Sequence, residues 1–580
     1  MSGVNLYRED RNLRFAVARA LPAADLALAE PLLDALGRDA GGELDRLAAT
    51  ADRNPPVLRS FDRRGDRVDE VVHHPAYRDL ERAAFERYAL AAASHRDGLH
   101  GFEGRPVPHV VKYAMTYLFA QAEFGVLCPV NMTDSLARVL RRFAGPELLA
   151  RHLPRLTATD LARLWQGAMH LTERSGGSDV GATATVARPV GPEEVPAGLA
   201  AGAPLWRLSG AKWFCSNAGA ELALVLARPE GAAPGTRGLG LFLVPRHLPD
   251  GALNGCRIER LKDKLGTRDM ATGEVTLDGA LAHQVGELDR GFAQMAVMIN
   301  ASRLSNAVRS AGMMRRGYFE AVTHACAARA FDRRLIDLPL QRRALMEMLL
   351  DVEGAVAAVI ETAAVLERAD AGDVSAAALA RILTPLLKAV VTKRARHTAG
   401  EAMEARGGNG YIEEWVEPRL LRDAHLGSIW EGTTNVVQLD VLRAMAREGA
   451  HRPLLERLAR GPRPPHAALA GLLDRARRGL EARCTEVLAL DGPRRDLALP
   501  GLVPALFHLV AATCLAEDAA HQLAVEGSAR KLVVAAAYAA RRLAAGGDPL
   551  DEPDLVALLE PLERWEPLPV EAAEAVPIAG

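Results

Sequence analysis

The spacing of apolar residues predicts two kinds of structure along the chain. Between about 75 and 160, apolar residues recur every three or four positions, as in residues 76–95, which is the period of an amphipathic helix. From about 180 to 285 the pattern changes to short apolar runs separated by Gly, Pro and Asn, which is typical of strands. Because no long helical pattern separates these runs, they predict an antiparallel sheet or a small barrel.

The helical period returns after Gly286 and continues almost to the end of the chain. The predicted helices cover residues 290–328, 339–369, 373–406 and 433–449, with several more after 465. The Arg- and Pro-rich stretch at 459–467 predicts a linker, because clustered Pro and Gly break helices.

This order predicts an α+β fold, mainly α, with segregated layers. The predicted domains are an N-terminal helical domain with a mixed opening segment (1–165), a middle antiparallel β domain (166–285), a helical bundle (286–450) and an extra C-terminal helical domain (451–580).

Charge and cysteine content narrow the possible functions. The 580 residues include 71 Lys and Arg against 73 Asp and Glu, so binding of nucleic acid through overall charge is excluded, although a local basic face stays possible. The six cysteines are widely separated and form no CxxC pair, which argues against a disulfide framework and against a structural zinc site. No metal site is expected.

The same features suggest a compartment. The N-terminus lacks the basic-then-apolar order of a signal peptide, and apolar runs such as 502–516 are too short and interrupted to span a bilayer. Together with the reduced cysteines, this predicts a cytoplasmic protein that does not insert into a membrane.

Four segments could carry chemistry, and each also has a purely structural explanation. Residues 169–186 contain hydroxyls beside paired glycines, which is also a common turn, and residues 210–219 contain an aromatic pair that could be core packing. Residues 403–415 contain a Gly-rich stop typical of a helix C-cap. In residues 428–445, Glu431 precedes a helix for which Thr433 or Thr434 is a good N-cap, so this glutamate could simply compensate the helix dipole.

Taken together and in order, the four segments resemble the acyl-CoA dehydrogenase flavoprotein family. In that family a TExxGGSD-like segment precedes the β domain, and a GxKxxxSN segment, a GGxGY turn and a (Y/W)EGT loop follow; this chain has all four. Residues 328–348 are similar to a fifth family stretch, RxFGxxLxxxQ. The opening segment, residues 54–80 and 244–266 and the surplus C-terminal residues resemble the AidB-like branch, which belongs to the DNA alkylation response and carries an extra helical domain.

The resemblance implies α,β-dehydrogenation of an acyl-CoA thioester, with FAD as the hydride acceptor. Glu431 matches the family base, and its backbone N–H would hold the developing enolate oxygen together with a flavin hydroxyl. Some family members place the base on the helix near residue 300, where this chain has Ser302, so Glu431 is the one candidate base. The alternative is that Glu431 is only a dipole partner in a chain that kept the fold and lost the chemistry.

The resemblance also implies positions that bind FAD. They comprise two flanks of the flavin, the residues just past the base, a turn that receives the adenosine part from a neighbouring subunit, and a candidate diphosphate contact: Met169, Leu171, Thr172, Gly177, Ser178, Phe214, Ser216, Thr433, Asn435, then Glu404, Gly407 and Gly408 of the turn, and Arg329 with Phe331. Two positions depart from the family pattern. Glu404 replaces a common Gln, and Ala328 stands where the family has Arg, which leaves Arg329 as the candidate diphosphate contact.

The C-terminal region contains a local excess of positive charge. Residues 443–483 hold ten Arg against four acidic residues, which suits contacts with phosphate groups. A solvated helix face or an ion-pair surface explains such a run equally well. The AidB-like resemblance favours double-stranded DNA, bound independently of sequence because no helix-turn-helix or zinc-finger pattern is present, and the candidate contacts are Arg475, Arg477 and Arg478.

Two functions stay open at this point. The chain could be an FAD-dependent acyl-CoA dehydrogenase, or a DNA-binding protective flavoprotein with little or no acyl-CoA turnover. For either function the resemblance implies a homotetramer.

Overall fold

A computed structural model of the protein describes residues 3–196, 198–199, 202–461 and 464–578. These residues form two compact units. The first unit contains Gly3, Asp39–Val107 and the described residues of Ala122–Ser305, and the second contains Val4–Arg38, Pro108–Gln121 and the described residues of Asn306–Gly580. The bounds of the four predicted domains stay predictions.

The secondary structure is mainly helical. The helices are α1 (Leu6–Glu9), α2 (Arg11–Ala20), α3 (Ala23–Ala40), α4 (Glu43–Arg53), α5 (Pro75–Arg82), α6 (His109–Ala122), α7 (Leu127–Phe143), α8 (Pro146–Leu156), α9 (Gly291–Ala327), α10 (Pro339–Asp370), α11 (Val374–Arg406), α12 (Glu417–Gly427), α13 (Thr434–Glu448), α14 (His451–Arg460), α15 (Ala467–Ala489), α16 (Gly492–Glu526), α17 (Arg530–Leu543), α18 (Pro553–Ala557), α19 (Leu559–Glu563) and α20 (Val570–Glu574). The strands are β1 (Val57–Phe61), β2 (Arg67–Val72), β3 (Gly167–His170), β4 (Val186–Pro189), β5 (Leu205–Ser216), β6 (Leu222–Pro229), β7 (Gly240–Pro245), β8 (Cys256–Leu261), β9 (Thr272–Val285), β10 (Arg329–Ala330) and β11 (Arg333–Arg334).

The long predicted helices after Gly286 are confirmed to within two residues, as α9, α10, α11 and α13. Local signals set their ends. Pro339 occupies the first turn of α10, the Asp373 carboxylate accepts a hydrogen bond from Ala376 N (3.0 Å) at the start of α11, and Gly449 ends α13 with a φ of +64°. The predicted linker at 459–467 falls between α14 and α15, and residues 462 and 463 of it lie outside the described residues.

The sheet of the first unit closes on itself. Hydrogen bonding runs from β6 to β4, β5, β9 and β7 and back to β6, while β3 and β8 are attached to β6 and β9. The prediction of a small barrel is therefore confirmed. The long pairing of β5 with β9, from Leu205 opposite His283 to Ser216 opposite Thr272, forms its longest ladder.

The expectation of purely antiparallel pairing is wrong at two places, because β6 runs parallel to both β3 and β4. The prediction rested on the absence of long helices between the strands, which consecutive parallel strands need as crossover connections. Here β5 lies on one side of β4 and the chain then returns to its other side, so two reversals of direction make β6 parallel to β4. Three strands of the first unit also went unpredicted: β3 precedes the predicted strand region, and β1 pairs with β2 as a hairpin inside the predicted N-terminal helical domain.

The core of the second unit is built around α10. Residues 348–360 of α10 are buried on every side, because α2, α11, α16 and α17 pack against it. Two acidic residues within this stretch are paired with cations: Asp351 with Arg542 (2.6 Å), and Glu353 with Arg530 (2.5 Å) and Lys531 (3.0 Å). The helices beyond residue 450 thus pack directly on the bundle.

Two helical stretches, residues 374–411 and 492–526, are long and apolar enough to cross a membrane by length and composition. In the most apolar part of each stretch, 67% and 61% of the residues are buried inside the protein, as expected for a helix in the core of a packed unit.

Candidate functional site

The structure brings the first two candidate segments together in the first unit. The chain continues past β3 to Thr172, whose carbonyl oxygen accepts a hydrogen bond from Trp213 N of β5 (2.9 Å). This contact places Met169, Leu171 and Thr172 beside Phe214 and Ser216. Met169, Leu171, Thr172, Gly177 and Ser216 are half-buried, whereas Ser178 and Phe214 are exposed.

A buried ion pair joins these two segments. Lys212 Nζ lies 2.8 Å from Glu173 Oε1 and 3.0 Å from the carbonyl oxygen of Leu226. Glu173 also accepts hydrogen bonds from Thr185 Oγ1 (2.6 Å) and from the backbone N–H of Ala184 (2.7 Å). Both side chains of the pair are less than a tenth exposed. The pair therefore fixes the segment after β3 against β5.

The surroundings shift the pKa values of both members of the pair. Burial pushes the pKa of the Glu173 carboxyl upward, but the Lys212 ammonium and the hydrogen bonds from Lys212 and Thr185 outweigh burial, so its pKa lies below the ordinary value. Burial lowers the pKa of the Lys212 ammonium even against the attraction of Glu173. The geometry of a charged donor held between a carboxylate and a carbonyl indicates that both groups are ionised near neutral pH.

A bulge in β5 exposes an aromatic ring. Between the pairs Lys212–Val275 and Cys215–Gly273, β5 has one residue more than β9, which is the signature of a β-bulge. Phe214 within this bulge is 55% exposed. The ammonium of Lys262 lies 3.4 Å from the centre of the Trp213 ring and 5.1 Å from that of Phe214. The result is an open aromatic surface on which a flat ring can stack.

The glycines of these motifs are required by close packing. A Cβ on Gly177 would lie 2.6 Å from Thr172 Oγ1, and a Cβ on Gly210 would lie 2.8 Å from the Cα of Thr185. Asn217 has a φ of +55° and donates to Gln166 Oε1 (3.0 Å). Sequence reasoning gave no role to Glu173, Gly210, Lys212 and Asn217, although all four belong to the motifs that carried the resemblance.

The first part of the fourth segment, residues 428–433, forms a short loop in the second unit, between α12 and α13. Glu431 within this loop is half-buried and has a φ of +57°, and Gly432 has a φ of +98°. A non-glycine residue in this region costs about 1–3 kcal/mol and persists only where its surroundings enforce it. Thr433 is the N-cap residue of α13, as predicted, but its side chain makes no cap hydrogen bond. Asn435, in the first turn of α13, is exposed.

Polar side chains of neighbouring helices hold the first half of this loop. Asn306 Nδ2 of α9 donates to the carbonyl oxygen of Gly427 (2.7 Å), and the Arg396 guanidinium of α11 donates to Ser428 Oγ (3.2 Å). A Cβ on Gly427 would lie 3.1 Å from Ser310 Oγ, so this end of the loop lies close against α9.

The GGNGY turn ends α11 as the sequence predicted. Gly407 has a φ of +68° and a ψ of −145°, a backbone conformation essentially restricted to glycine. Glu404, Gly407 and Gly408 are exposed. Beneath the turn, Arg406 is buried and pairs with Glu320 (2.6 Å). The backbone of the turn is thus exposed, and the buried ion pair beneath it holds the end of α11 in place.

The strands β10 and β11 form a small hairpin. Arg329 lies in β10, and Phe331 lies in the two-residue turn that joins the two strands. Phe331 and Asp332 both have positive φ, +51° and +58°, as in a type I′ turn. Phe331 is 86% exposed, and the Arg329 guanidinium donates to the carbonyl oxygen of Asp332 (2.8 Å). The hairpin presents both side chains outward, so an arginine one place past the family position is still accessible for a contact.

The candidate residues therefore fall into two groups, each assembled within one unit. The first unit holds residues 169–178 and 214–216, and the second unit holds the loop of Glu431 with Thr433 and Asn435, the turn at 404–408 and the hairpin at 329–334.

The arginine-rich region spans α13, α14 and α15, and its three candidate DNA contacts lie on α15. Arg475 and Arg478 are exposed and Arg477 is half-buried. Arg477 pairs with Glu481 (3.3 Å) and Arg478 lies 3.9 Å from Asp474. Arg457, counted in the same charge excess, instead pairs inside the unit with Glu361 (3.0 Å) and Glu517 (2.6 Å). The accessible excess is thus smaller than the sequence count.

Among the residues that the structure describes, no group of three or more His, Cys, Asp or Glu side chains could hold a metal ion. The six cysteines are all free thiols.

Three family models match the chain in succession. The N-terminal domain of the adaptive response protein AidB matches residues 1–161, the middle domain of acyl-CoA dehydrogenase matches residues 168–280, and the C-terminal domain of acyl-CoA dehydrogenase matches residues 289–446.

Individual proteins are similar over most of the chain. The AidB protein of Escherichia coli strain K12 is 35% identical over 463 residues, which cover 78% of this chain and 80% of that protein. Acyl-CoA dehydrogenase family member 11 of Caenorhabditis elegans is 34% identical over 453 residues, covering 76% and 71%. The crystal structure of C. elegans ACDH-11 in complex with C11-CoA superposes with a TM-score of 0.82 at 28% identity and covers 94% of this chain and 92% of that chain.

Proposed function

The chain belongs to the acyl-CoA dehydrogenase family, in its AidB-like branch, and on this premise we propose that it oxidises an acyl-CoA thioester with Glu431 as the base and FAD as cofactor. The observation that carries the proposal is the loop of Glu431, in which a glutamate is held in a strained left-handed conformation directly before the start of α13. Such strain is typical of functional positions.

The side chains of the first unit fit one flank of an FAD molecule. The exposed ring of Phe214 offers a stacking surface, and the hydroxyls of Thr172, Ser178 and Ser216 offer hydrogen bonds to a polar ring edge. Gly177 packs so closely against Thr172 that a side chain does not fit, and its backbone is therefore not covered by a side chain of its own. In the second unit, Arg329, Phe331, Glu404, Gly407 and Gly408 would contact the adenosine and diphosphate parts.

When bound, FAD accepts a hydride from the β-carbon of the acyl chain. The contribution of Glu431 is to take the α-proton on its carboxylate, which is a general base within a half-buried loop. Its backbone N–H would donate to the thioester oxygen, where negative charge develops. The N-terminal end of α13 follows immediately, and its unpaired N–H groups favour negative charge at this place.

The proposal predicts that the purified protein is yellow, with FAD bound at one molecule per chain, and that anaerobic addition of an acyl-CoA bleaches the flavin. A panel of acyl-CoAs of increasing chain length should contain at least one that does so, and an eleven-carbon acyl group is a suitable first member because ACDH-11 was crystallised with C11-CoA. A colourless protein that also fails to take up added flavin would contradict the proposal.

The finer functional properties are proposals as well. We propose that the protein is cytoplasmic, forms homotetramers and acts in the response to DNA alkylation. The exposed apolar side chains Phe331 and Tyr411, 86% and 81% accessible, are candidate contacts between subunits.

DNA binding is the second candidate function, and the exposed arginines of α15 favour it. Arg475 and Arg478 point into solvent, and the ion pairs of Arg477 and Arg478 are surface pairs of little energetic value, so phosphate groups can replace their partners. Binding through such contacts would be independent of sequence.

Replacing Arg475, Arg477 and Arg478 together by Ala is expected to weaken binding of duplex DNA and to reduce its salt dependence. Each lost phosphate contact lowers the slope of log K against log salt by about 0.9, so the slope should fall by about 2 to 3. Fluorescence anisotropy at several salt concentrations measures both. Replacement of the exposed Arg63, Arg64 and Arg188 by Ala removes the same charge elsewhere and serves as the control. Equal binding by the α15 variant and the control variant would assign these arginines to a solvated helix face.

A further inference from the structure

Two buried cations face the loop of Glu431 from two different helices. Lys388 of α11 is fully buried, and its Nζ donates a hydrogen bond to the carbonyl oxygen of Gly432, the residue that follows the glutamate. Arg309 of α9 is 1% exposed, and its guanidinium lies 4.8 Å from the centre of the ring of Trp430, the residue that precedes the glutamate. Each neighbour of Glu431 is thus held by a separate cation.

Lys388 places a charged donor in the interior of the unit. The side chain lies between Leu387 and Ala389 in a stretch of α11 whose residues 382–392 are all buried, and removing an ammonium from water is unfavourable. Anchoring a loop carbonyl does not by itself require a charge, since the neutral amide of Asn306 does so at Gly427. What a charged donor adds is strength, because charge-assisted hydrogen bonds are about twice as strong as neutral ones.

A strong hydrogen bond is needed here because the backbone of Glu431 is strained. Its left-handed conformation is strained, and the carbonyl bound by Lys388 lies one peptide further on, between Gly432 and Thr433. If that carbonyl rotates, ψ of Gly432 and φ of Thr433 change, the chain just after Glu431 is no longer held in place, and Glu431 can relax to an ordinary conformation. Relaxation would move both its carboxylate and its N–H.

From this geometry we infer that Lys388 is a positioning residue, which holds Glu431 in its left-handed conformation through the carbonyl of Gly432 while Arg309 fixes Trp430 on the other side. The inference rests on the proposed function for its catalytic consequence, since Glu431 is the proposed base. Its structural part concerns the loop alone. Lys388 acts through the backbone and does not itself contact the substrate.

The structural part is tested by hydrogen exchange in the absence of any substrate. In Lys388→Met, the amides of residues 430–434 should exchange at least about tenfold faster than in the wild type, because the strain of Glu431 is then released. Lys393→Met, which removes an exposed lysine five residues further along the same helix, should leave them unchanged. Unchanged exchange at residues 430–434 in Lys388→Met overturns the inference.

The chemical part is tested by single-turnover reduction of the flavin under anaerobic conditions. Lys388→Met should reduce the rate at saturating acyl-CoA by about ten- to a hundredfold, as expected for misplacement of a general base, with acyl-CoA affinity kept within threefold. Lys388→Gln retains a donor and should recover part of the rate; it also replaces Lys388→Met in both measurements if that variant does not fold. An unchanged rate, or a loss confined to affinity, overturns the inference. If the wild-type flavin is not reduced by any acyl-CoA, the proposed function fails, and the hydrogen-exchange result still decides whether Lys388 holds the loop.

Discussion

Glu431→Gln is expected to retain bound FAD and to lose reduction of the flavin by acyl-CoA, with a rate at least about 10³-fold below that of the wild type. The amide of glutamine has nearly the shape of the carboxylate but cannot accept the α-proton. The contacts of Asn306, Arg309 and Lys388 with the residues around Glu431 involve the carbonyl oxygens of Gly427 and Gly432 and the ring of Trp430, and the substitution leaves them in place. Anaerobic stopped-flow absorbance measures the rate, and the visible spectrum before mixing reports the bound cofactor.

Two further variants sharpen this experiment. Glu431→Asp retains a carboxylate but withdraws it by one methylene, so it should react at a rate between those of the wild type and Glu431→Gln. Glu414→Gln removes a carboxylate from an exposed position in the same unit and should behave as the wild type. Bleaching of Glu431→Gln at the wild-type rate would show that another group takes the proton.

The helices of the second unit could be predicted from sequence because their signals are local. A Pro in the first turn, an Asp at the N-cap and a Gly at the C-terminus mark the ends of α10, α11 and α13, and each acts within one turn of the helix. An antiparallel sheet or a small barrel was predicted from the absence of helical patterns between the strands, and the folded chain forms the barrel. Its parallel pairings were not predicted, because they depend on which side of β4 the chain returns to, and no local pattern encodes that choice.

In the candidate site, too, local motifs could be predicted from the sequence, whereas long-range contacts could not. The motifs identified Glu431 and the segments around Thr172 and Phe214, but they could not show that two of their own members, Glu173 and Lys212, pair across 39 positions of the chain. The buried lysine of α11 was missed for a related reason. In the sequence Lys388 interrupts an apolar helix without any motif, and only the folded chain places it on the carbonyl of Gly432.

Lys212→Met is expected to lower the free energy of unfolding of the first unit by about 3–5 kcal/mol, because it leaves the Glu173 carboxylate buried without its cation. Glu173 would keep its hydrogen bonds from Thr185 and Ala184, which compensate only part of the loss. The segments joined by the pair carry Thr172 and Phe214, so FAD affinity should fall as well. Denaturant unfolding of the FAD-free protein separates the two effects, since bound FAD would add its own stabilisation.

The pair also predicts a pH dependence. The pKa of Glu173 is lowered in the folded protein, so its contribution to stability is complete above its ordinary pKa, near 4.5, and is lost as the pH falls through the lowered value. The difference between wild type and Glu173→Gln should therefore be largest near neutral pH and shrink in acid. A constant difference across this range would mean that Glu173 is not ionised in the folded protein.

The double variant Lys212→Met/Glu173→Met decides whether the charges or the packing hold the two segments together. Both side chains are buried, and replacement of a buried ion pair by apolar residues of similar size is often neutral. The double variant should therefore regain most of the stability lost in Lys212→Met, and a double-mutant cycle then gives a coupling energy of about 0.5–3 kcal/mol or more. If the double variant is as unstable as the sum of the single variants, the two residues act independently, and the pair does not join the segment after β3 to β5.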